Sequence, residues 1–497
     1  MLHAYRYACL LCLVSAALGL SGCTSFSDYV QHGFKVGPEY TAAKAVVAPQ
    51  WIDAADVRVR STAADLSHWW CVFNDPALDD LVRHAYSQNL SLKDAGTRIL
   101  QARASLAIAR GDIFPQTQNA GGNYQRLSTP ADLVNPGFPQ FSDQWNFGFN
   151  MAWELDFWGR FRRAVLSAEA QLDASVDNYD DVLVTLLGDV ATNYVQMRQY
   201  QEQIALAKHN VELQEDVLKI VRARFKFGRV GALDVDQAES TLSQTASQVP
   251  AFEIMVRQTQ NRLCTLLGIP TIDLQARLGQ RPIPAVPADA VVGIPAQLLE
   301  RRPDIRRAER NAAAQAQQIG IAQTDLYPHI SIAGTLGYTA SNASQLFTPA
   351  AFNSSIGPTF QWNVLNYGRI VNNVRLQDAM FQDTLLVYRN TVLNANKEAE
   401  DGLVTFLRSQ EQTKSLAQSV VAADLAYRIV VRQYRAGTVD FNRVDTIEQN
   451  LVQQQALLAQ ARSQIATGLI QVYRALGGGW QIRLDRGAES ASGSANQ

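Results

Sequence analysis

Shifted against itself by 209 residues, the chain comes back into register. Gly148 meets Gly357, Trp153 meets Trp362, and Gly159-Arg160 meets Gly368-Arg369. Tyr179 meets Tyr388, Gln201-Glu202-Gln203 meets Gln410-Glu411-Gln412, and Ile220-Val221 meets Ile429-Val430. Gly228 meets Gly437, Val235-Asp236 meets Val444-Asp445, and Leu267-Gly268 meets Leu476-Gly477. Upstream the offset is 213, pairing Ile108-Ala109 with Ile321-Ala322, Asp112 with Asp325 and Pro115 with Pro328. The first copy therefore carries four extra residues between Pro115 and Gly148, a length change that belongs in a surface loop. A tandem repeat of this length admits folds in which one supersecondary unit is built twice.

Both copies are punctuated alike. A helix of about twenty residues, 91–111 or 303–324, ends at Pro115 or Pro328. Two strands follow, at 116–126 and 143–157 in the first copy and at 329–340 and 354–365 in the second. Next comes a helix of 68 residues, 160–227 or 369–436, each with one internal glycine, Gly188 or Gly402. The chain turns at Gly228 or Gly437 and returns along 232–267 or 440–476. Proline supports helices this long, because an interior proline breaks a helix and there is none from 140 to 249 or after Pro358. At 1.5 Å per residue such a helix measures ~100 Å. The short and return helices together match it in length, so each copy is a unit of two rods, one continuous and one pieced. Repeat 1 spans 71–280, repeat 2 spans 281–480, and 481–497 reads as a flexible tail.

The strands carry a membrane signal. From Trp145 to Phe157 the odd positions are Trp145, Phe147, Phe149, Met151, Trp153, Leu155 and Phe157. The even positions are Asn146, Gly148, Asn150, Ala152, Glu154 and Asp156. Alternation of period two makes a strand with one apolar and one wet face. The run is longer than a usual globular strand of about five or six residues, and it fits a lipid-facing barrel strand, apolar outward and polar inward. Ile330, Ile332, Leu336 and Tyr338 repeat the pattern, as do Ile356, Phe360, Trp362 and Val364. The 116–126 strand is the weakest, with Tyr124 its one large apolar residue. Four strands cannot close a barrel, and open edges are not tolerated in lipid. Other copies of the chain must complete it: two would give eight strands and three would give twelve.

The N-terminus reads as an address. Arg6 precedes an apolar run from Ala8 to Leu20, which makes 1–22 a secretory signal peptide. Leu20-Ser21-Gly22-Cys23 matches a bacterial lipobox, with Cys23 as the lipidated first residue of the mature chain. The acyl chains would anchor the protein at roughly 0.8 kcal/mol per buried methylene. Thr24 follows, where aspartate would favour the inner membrane, so the outer membrane is expected. Residues 23–70 read as a lipidated, extended tether, with order starting near Trp69-Trp70. Asn74-Asp75-Pro76 supplies an N-cap and a proline at the first helical position.

Composition removes several classes. Net charge is −2 from 44 basic and 46 acidic residues, which leaves no footprint for nucleic acid. No stretch after residue 23 has the ~18 apolar residues a spanning helix needs. His3, His32, His68, His84, His209 and His329 are scattered, with no pair at metal-ligand spacing. Gly477-Gly478-Gly479 reads as a helix stop rather than a phosphate cradle. Neither an enzyme nor a metal is expected, and the covalent lipid on Cys23 is the one non-protein group. Cys71 and Cys264 allow a disulfide in an oxidising compartment, although the apolar stretch around Cys264 favours a buried free thiol.

These features together resemble a TolC-like outer membrane factor of the lipoprotein branch (NodT/OprM-like). The resemblance rests on Leu20 to Cys23, Val36-Gly37-Pro38-Glu39-Tyr40, Trp69 to Leu78, Leu299 to Ile305, Ile319 to Pro328, and the Trp-x5-Gly-Arg starts of both long helices. It covers essentially the whole chain. It implies a mixed α/β membrane protein acting as a homotrimer, with a twelve-stranded barrel that continues into a helical periplasmic tunnel. It also implies a periplasmic adaptor and an inner-membrane transporter as partners. The function so implied is the exit duct of a tripartite, RND-type efflux pump; the alternative is the outer channel of a type I protein secretion system. The turn glycines Gly228 and Gly437 are the expected adaptor contacts.

The same resemblance implies a periplasmic aperture lined by acidic residues on the second return helix. Asp236 and Asp445 each lie eight residues after a turn glycine, with Glu239 and Glu448 one helical turn later. The acidic places of the family fall near Arg443 and Thr446, flanking Asp445. The candidate aperture residues are Asp236, Asp445 and Arg443. The two aspartates are read either as six carboxylates around the mouth of a trimer or as solvated helix-start residues favoured by the macrodipole.

Overall fold

A computed structural model describes residues 26–484 except 43, 63–64, 134–136, 138 and 294. The signal peptide, Cys23 and residues 485–497 lie outside the described residues. The helices are α1 (Phe26–Gln31), α2 (Pro76–Gln88), α3 (Leu90–Gly111), α4 (Arg160–Lys226), α5 (Ala232–Leu266), α6 (Gln275–Leu278), α7 (Leu298–Arg301), α8 (Pro303–Thr324), α9 (Arg369–Ala436) and α10 (Phe441–Ala475). The strands are β1 (Val59–Arg60), β2 (Thr117–Ser128), β3 (Phe141–Glu154), β4 (Ala290–Val291), β5 (His329–Ala340) and β6 (Phe352–Gln361). The long helices α4 and α9 run unbroken for 67 and 68 residues.

The chain forms two compact units. Among the described residues, the first comprises 26–44, 98–175 and 307–388; the second comprises 45–97, 176–306 and 389–484. In the first, four strands pair antiparallel in the order β2-β3-β5-β6, leaving β2 and β6 as open edges. The duplication is visible atom by atom at the base of the sheet. Trp153 Nε1 donates to the Ile113 carbonyl and Trp362 Nε1 donates to the Leu326 carbonyl, both at 3.0 Å. These residue pairs stand at the two offsets, 209 and 213, that the sequence defines.

The second unit repeats itself in the same way. Gly228 and Gly437 have φ of 66° and 80°, the left-handed conformation a glycine helix stop needs. At the first stop Arg229 N donates to Arg224 O; at the second Thr438 N donates to Gln433 O. The pieced rods join where the spacing requires. Asn89 accepts from Leu92 N, capping α3, and donates to the Leu266 carbonyl at the end of α5. In the second copy Arg302 takes the place of Asn89 and donates to the Ala475 carbonyl at the end of α10. Gly402 and Gly468 are packing glycines: a Cβ on either would come within 2.9 Å of a backbone nitrogen, of Val472 or Phe406. They let α9 and α10 cross with backbones nearly touching.

Residues 26–70 differ from the expected extended tether. Val36, Trp51, Val59 and Leu66 are buried. In the first unit, α1 precedes a strap held by Tyr29 Oη, which donates to the Phe157 carbonyl. Arg162 donates to the carbonyls of Gly33 and Phe34, and Arg163 donates to those of Val36, Gly37 and Pro38. In the second unit, Val59–Arg60 pairs parallel with Ala290–Val291 and Trp51 donates to the Gly293 carbonyl. A segment without helical period thus gains its order from side chains far away in sequence. The N-cap at Asp75 is as expected, accepting from Ala77 N.

Candidate channel wall and helix tips

Register sorts the side chains of the sheet by face. Residues directly opposite in antiparallel strands share a face. Phe147 stands opposite Gly122 and Tyr338, and Tyr338 opposite Phe352. Trp145 faces Tyr124, Phe149 faces Leu336, Met151 aligns with Gly334 and then Ile356, and Trp153 aligns with Ile332. One face is therefore aromatic and aliphatic. Tyr124 and Trp145 pack with ring centroids 4.5 Å apart, and Phe347 from the β5–β6 loop packs edge-on against both Phe147 and Tyr338.

The opposite face is polar and uncharged through its middle. It carries Asn119, Asn123, Asn146, Asn150, Thr335 and Thr339. Thr339 donates to Asn146 Oδ1 and Asn353 donates to Thr339 Oγ1, forming a ladder of neutral hydrogen bonds. Gly121, Gly148 and Gly337 lie side by side in one row of this face. Charge returns at the base, where Glu154 accepts from His329 Nδ1 at 2.7 Å and Arg160 lies near both Glu154 and Asp325. A sheet of this kind can separate lipid from water, provided its two edges are closed.

The helix tips belong to the second unit. An open cavity of about 730 Å³ lies between the two turns, lined among others by Arg224, Arg229, Asp234, Asp440 and Arg443. Arg224 bridges the turns, donating to the Tyr434 carbonyl with its guanidinium 4.6 Å from the Tyr434 ring centre. Below the turns an apolar cluster joins all four helices, including Val221, Ala238, Val430, Phe441 and Val444. Gly228 and Gly437 are exposed at the turns.

The predicted aperture residues separate in this structure. Asp236 is exposed, and so is Arg443, whose backbone N–H is capped by Asp440. Asp445 is not an open carboxylate. It is 6% exposed, accepts from Thr241 Oγ1 at 2.7 Å and from Gln449 Nε2, and faces its own bundle. This corrects both sequence-based readings of Asp445, the lining of a mouth and the solvated helix start. The physical reason is helical phase: Phe441, Val444, Asp445, Glu448 and Leu451 form one buried face of α10.

Other parts of the tip escaped the sequence. Arg224 has Gln433 as its repeat mate, so the duplication gave no hint of the bridge. Glu448 is 4% exposed, although its repeat mate Glu239 lies near the surface in an ion pair with Arg222. Cys71 and Cys264 are free, one exposed and one buried. Among the described residues, no cluster of His, Cys, Asp and Glu could hold a metal ion, and no helix is long and apolar enough to cross a membrane.

Comparison with known proteins follows the same repeat boundaries. The outer membrane efflux protein family profile matches residues 81–269 and 294–478. Nodulation protein T of Rhizobium leguminosarum bv. trifolii is 29% identical over 467 residues, covering 92% of this chain and 97% of its own. The pyoverdine export outer membrane protein OpmQ of Pseudomonas aeruginosa is 30% identical over 481 residues, covering 95% and 97%. Among solved structures, the outer-membrane channel OprN is 32% identical with a TM-score of 0.83, covering 90% of this chain and 99% of that one.

Proposed function

Because the chain belongs to the outer membrane efflux protein family, we propose that three copies of it form the outer-membrane exit duct of a tripartite efflux pump. Four strands per copy with two open edges become twelve in a closed barrel, which leaves no unpaired backbone in lipid. The aromatic face turns to lipid and the Asn/Thr face lines the passage. The long helices of the three copies continue the passage as a periplasmic tunnel.

The observation that carries this reading is the two-faced register of β2-β3-β5-β6. In a soluble sheet such an apolar face would be covered by a core, whereas here Phe147, Phe149, Leu336, Ile356 and Phe360 are exposed. The duct does no chemistry. It conducts small molecules delivered by a periplasmic adaptor and an inner-membrane transporter, which supply the energy. The turns at Gly228 and Gly437 are the adaptor contacts, with the exposed Asp236 and Arg443 beside the entrance. Acyl chains on Cys23 add a lipid anchor to the hold of the barrel.

Purified full-length protein tests the reading. It should run as a trimer and give discrete conductance steps in planar bilayers, and loss of the gene should raise cellular accumulation of dyes or drugs. A monomer that never conducts overturns it.

A further inference from the structure

The duplication sets two carboxylate pairs at the same sequence spacing and then treats them oppositely. Asp236 and Glu239 of α5 lie at the surface, where Glu239 is 2.7 Å from Arg222. Asp445 and Glu448 of α10 are buried, and the repeat mate of Arg222 is Val431, which packs against the apolar cluster. The second pair has therefore lost its cation to a hydrocarbon. Two ionised carboxylates one helical turn apart in an apolar seam repel each other and lose hydration.

The surroundings of the two carboxylates differ. From α5, Thr241 donates to Asp445, and Gln449 donates to it from α10 itself. At Glu448, the hydrogen-bond donors of Tyr427 and Gln214 act against burial and the charge of Asp445 but are outweighed by them. Tyr427 of α9 and Gln214 of α4 face it, both buried, and no cation does. The nitrogen and the oxygen of the Gln214 amide are both buried and lack a partner of hydrogen-bonding geometry. Arg435 and Asp216 bear on the Tyr427 hydroxyl, while Glu239 of α5 is engaged with Arg222.

We propose that Asp445 and Glu448 form a proton-binding site that latches the helix tips: with one proton on the pair, α10 stays packed on α4, α5 and α9, and loss of that proton loosens it. Burial, and after it the charge of Asp445, push the Glu448 carboxyl up to about 8. The sign follows from linkage. A folded-state value above the ordinary carboxylate range means that the packed form binds more protons, so packing weakens as pH rises toward that value. The latch is thus fully held only below the ordinary carboxylate range, weakens steadily as pH rises from there to about 8, and weakens no further above it.

The test uses full-length trimers between about pH 4.5 and 9.5. Limited proteolysis at the turns 228–231 and 437–440 reads tip packing without assuming a duct, and bilayer conductance reads it through the duct. The wild type should show a several-fold rise in tip cleavage and conductance as pH climbs from the ordinary carboxylate range, levelling off near pH 8. Glu448→Gln, uncharged at every pH, should abolish the rise. Asp445→Asn removes the like charge and should move the midpoint to lower pH, which keeps the proposal testable should Glu448→Gln fail to assemble. A flat wild-type profile, an unchanged rise in Glu448→Gln or an unchanged midpoint in Asp445→Asn overturns the latch. Absence of any conductance counts against the duct reading, with the cleavage profile still deciding the latch.

Discussion

The Nε–H of Arg163 donates to the Val36 carbonyl at 2.7 Å from a side chain with no solvent exposure. Its other nitrogens reach the carbonyls of Gly37 and Pro38 and Gln317 Oε1. Burial pulls the guanidinium down from its ordinary range, against the opposing attraction of Glu39, yet an arginine stays charged. The strap that leads toward Cys23 is therefore fastened to the start of α4 by one buried cation.

Arg163→Ala should leave several buried acceptors unpaired and cost ~3–5 kcal/mol, as breaking a buried charged network does. Arg163→Lys keeps the charge without the planar fork and should fall between the two. Gly37→Ala should also destabilise, because Gly37 has φ of 97° and a Cβ there would come within 2.6 Å of Gly320 Cα. Trimer melting temperatures check all three, and equal melting of wild type and Arg163→Ala would refute the clamp.

Cys23→Ser should remove acylation, read as loss of radiolabelled palmitate. The barrel and the Arg163 clamp remain, so trimer assembly should persist. Label retained in the mutant would show that the lipobox reading is wrong.

Arginine at Phe149 or Met151 should lower the amount of trimer in the outer membrane, costing ~2–4 kcal/mol at the midplane. Arginine at Asn150, one residue away on the opposite face, should be tolerated far better. Equal losses at all three positions would contradict the assignment of the faces.

Asp236→Asn should reduce cation selectivity in planar bilayers, and Arg443→Ala should increase it, since both are exposed near the turns and fixed charges at a pore mouth bias ion entry. Unchanged reversal potentials in both variants would place these residues away from the entrance.

Much of this was legible without coordinates because it is locally encoded. Trp145 to Phe157 announces its strand by period two. The predicted helix 369–436 is α9 to the residue, because Gly368 and Gly437, each with positive φ, bound it at its start and its end. The paired tryptophan bonds and the joints at Asn89 and Arg302 obey the offsets 209 and 213, although the spacing by itself named neither. Where the signal was non-local the sequence said little: residues 26–70 read as a tether, because carbonyls held by Arg162 and Arg163 carry no periodicity.

By itself the sequence determined the duplication, the strand faces, the helix ends and the need for partners to close the sheet. All of these follow from spacing, capping and the chemistry of neighbouring residues. Only the tertiary structure decided which repeat mates share an environment. Asp236-Glu239 and Asp445-Glu448 are the same words in the chain. Their fates diverge because Arg222 meets one pair, whereas Val431, Tyr427 and Gln214 surround the place of the other. Burial is a property of what packs from elsewhere, more than 200 residues away in the case of Gln214, and no local pattern carries it.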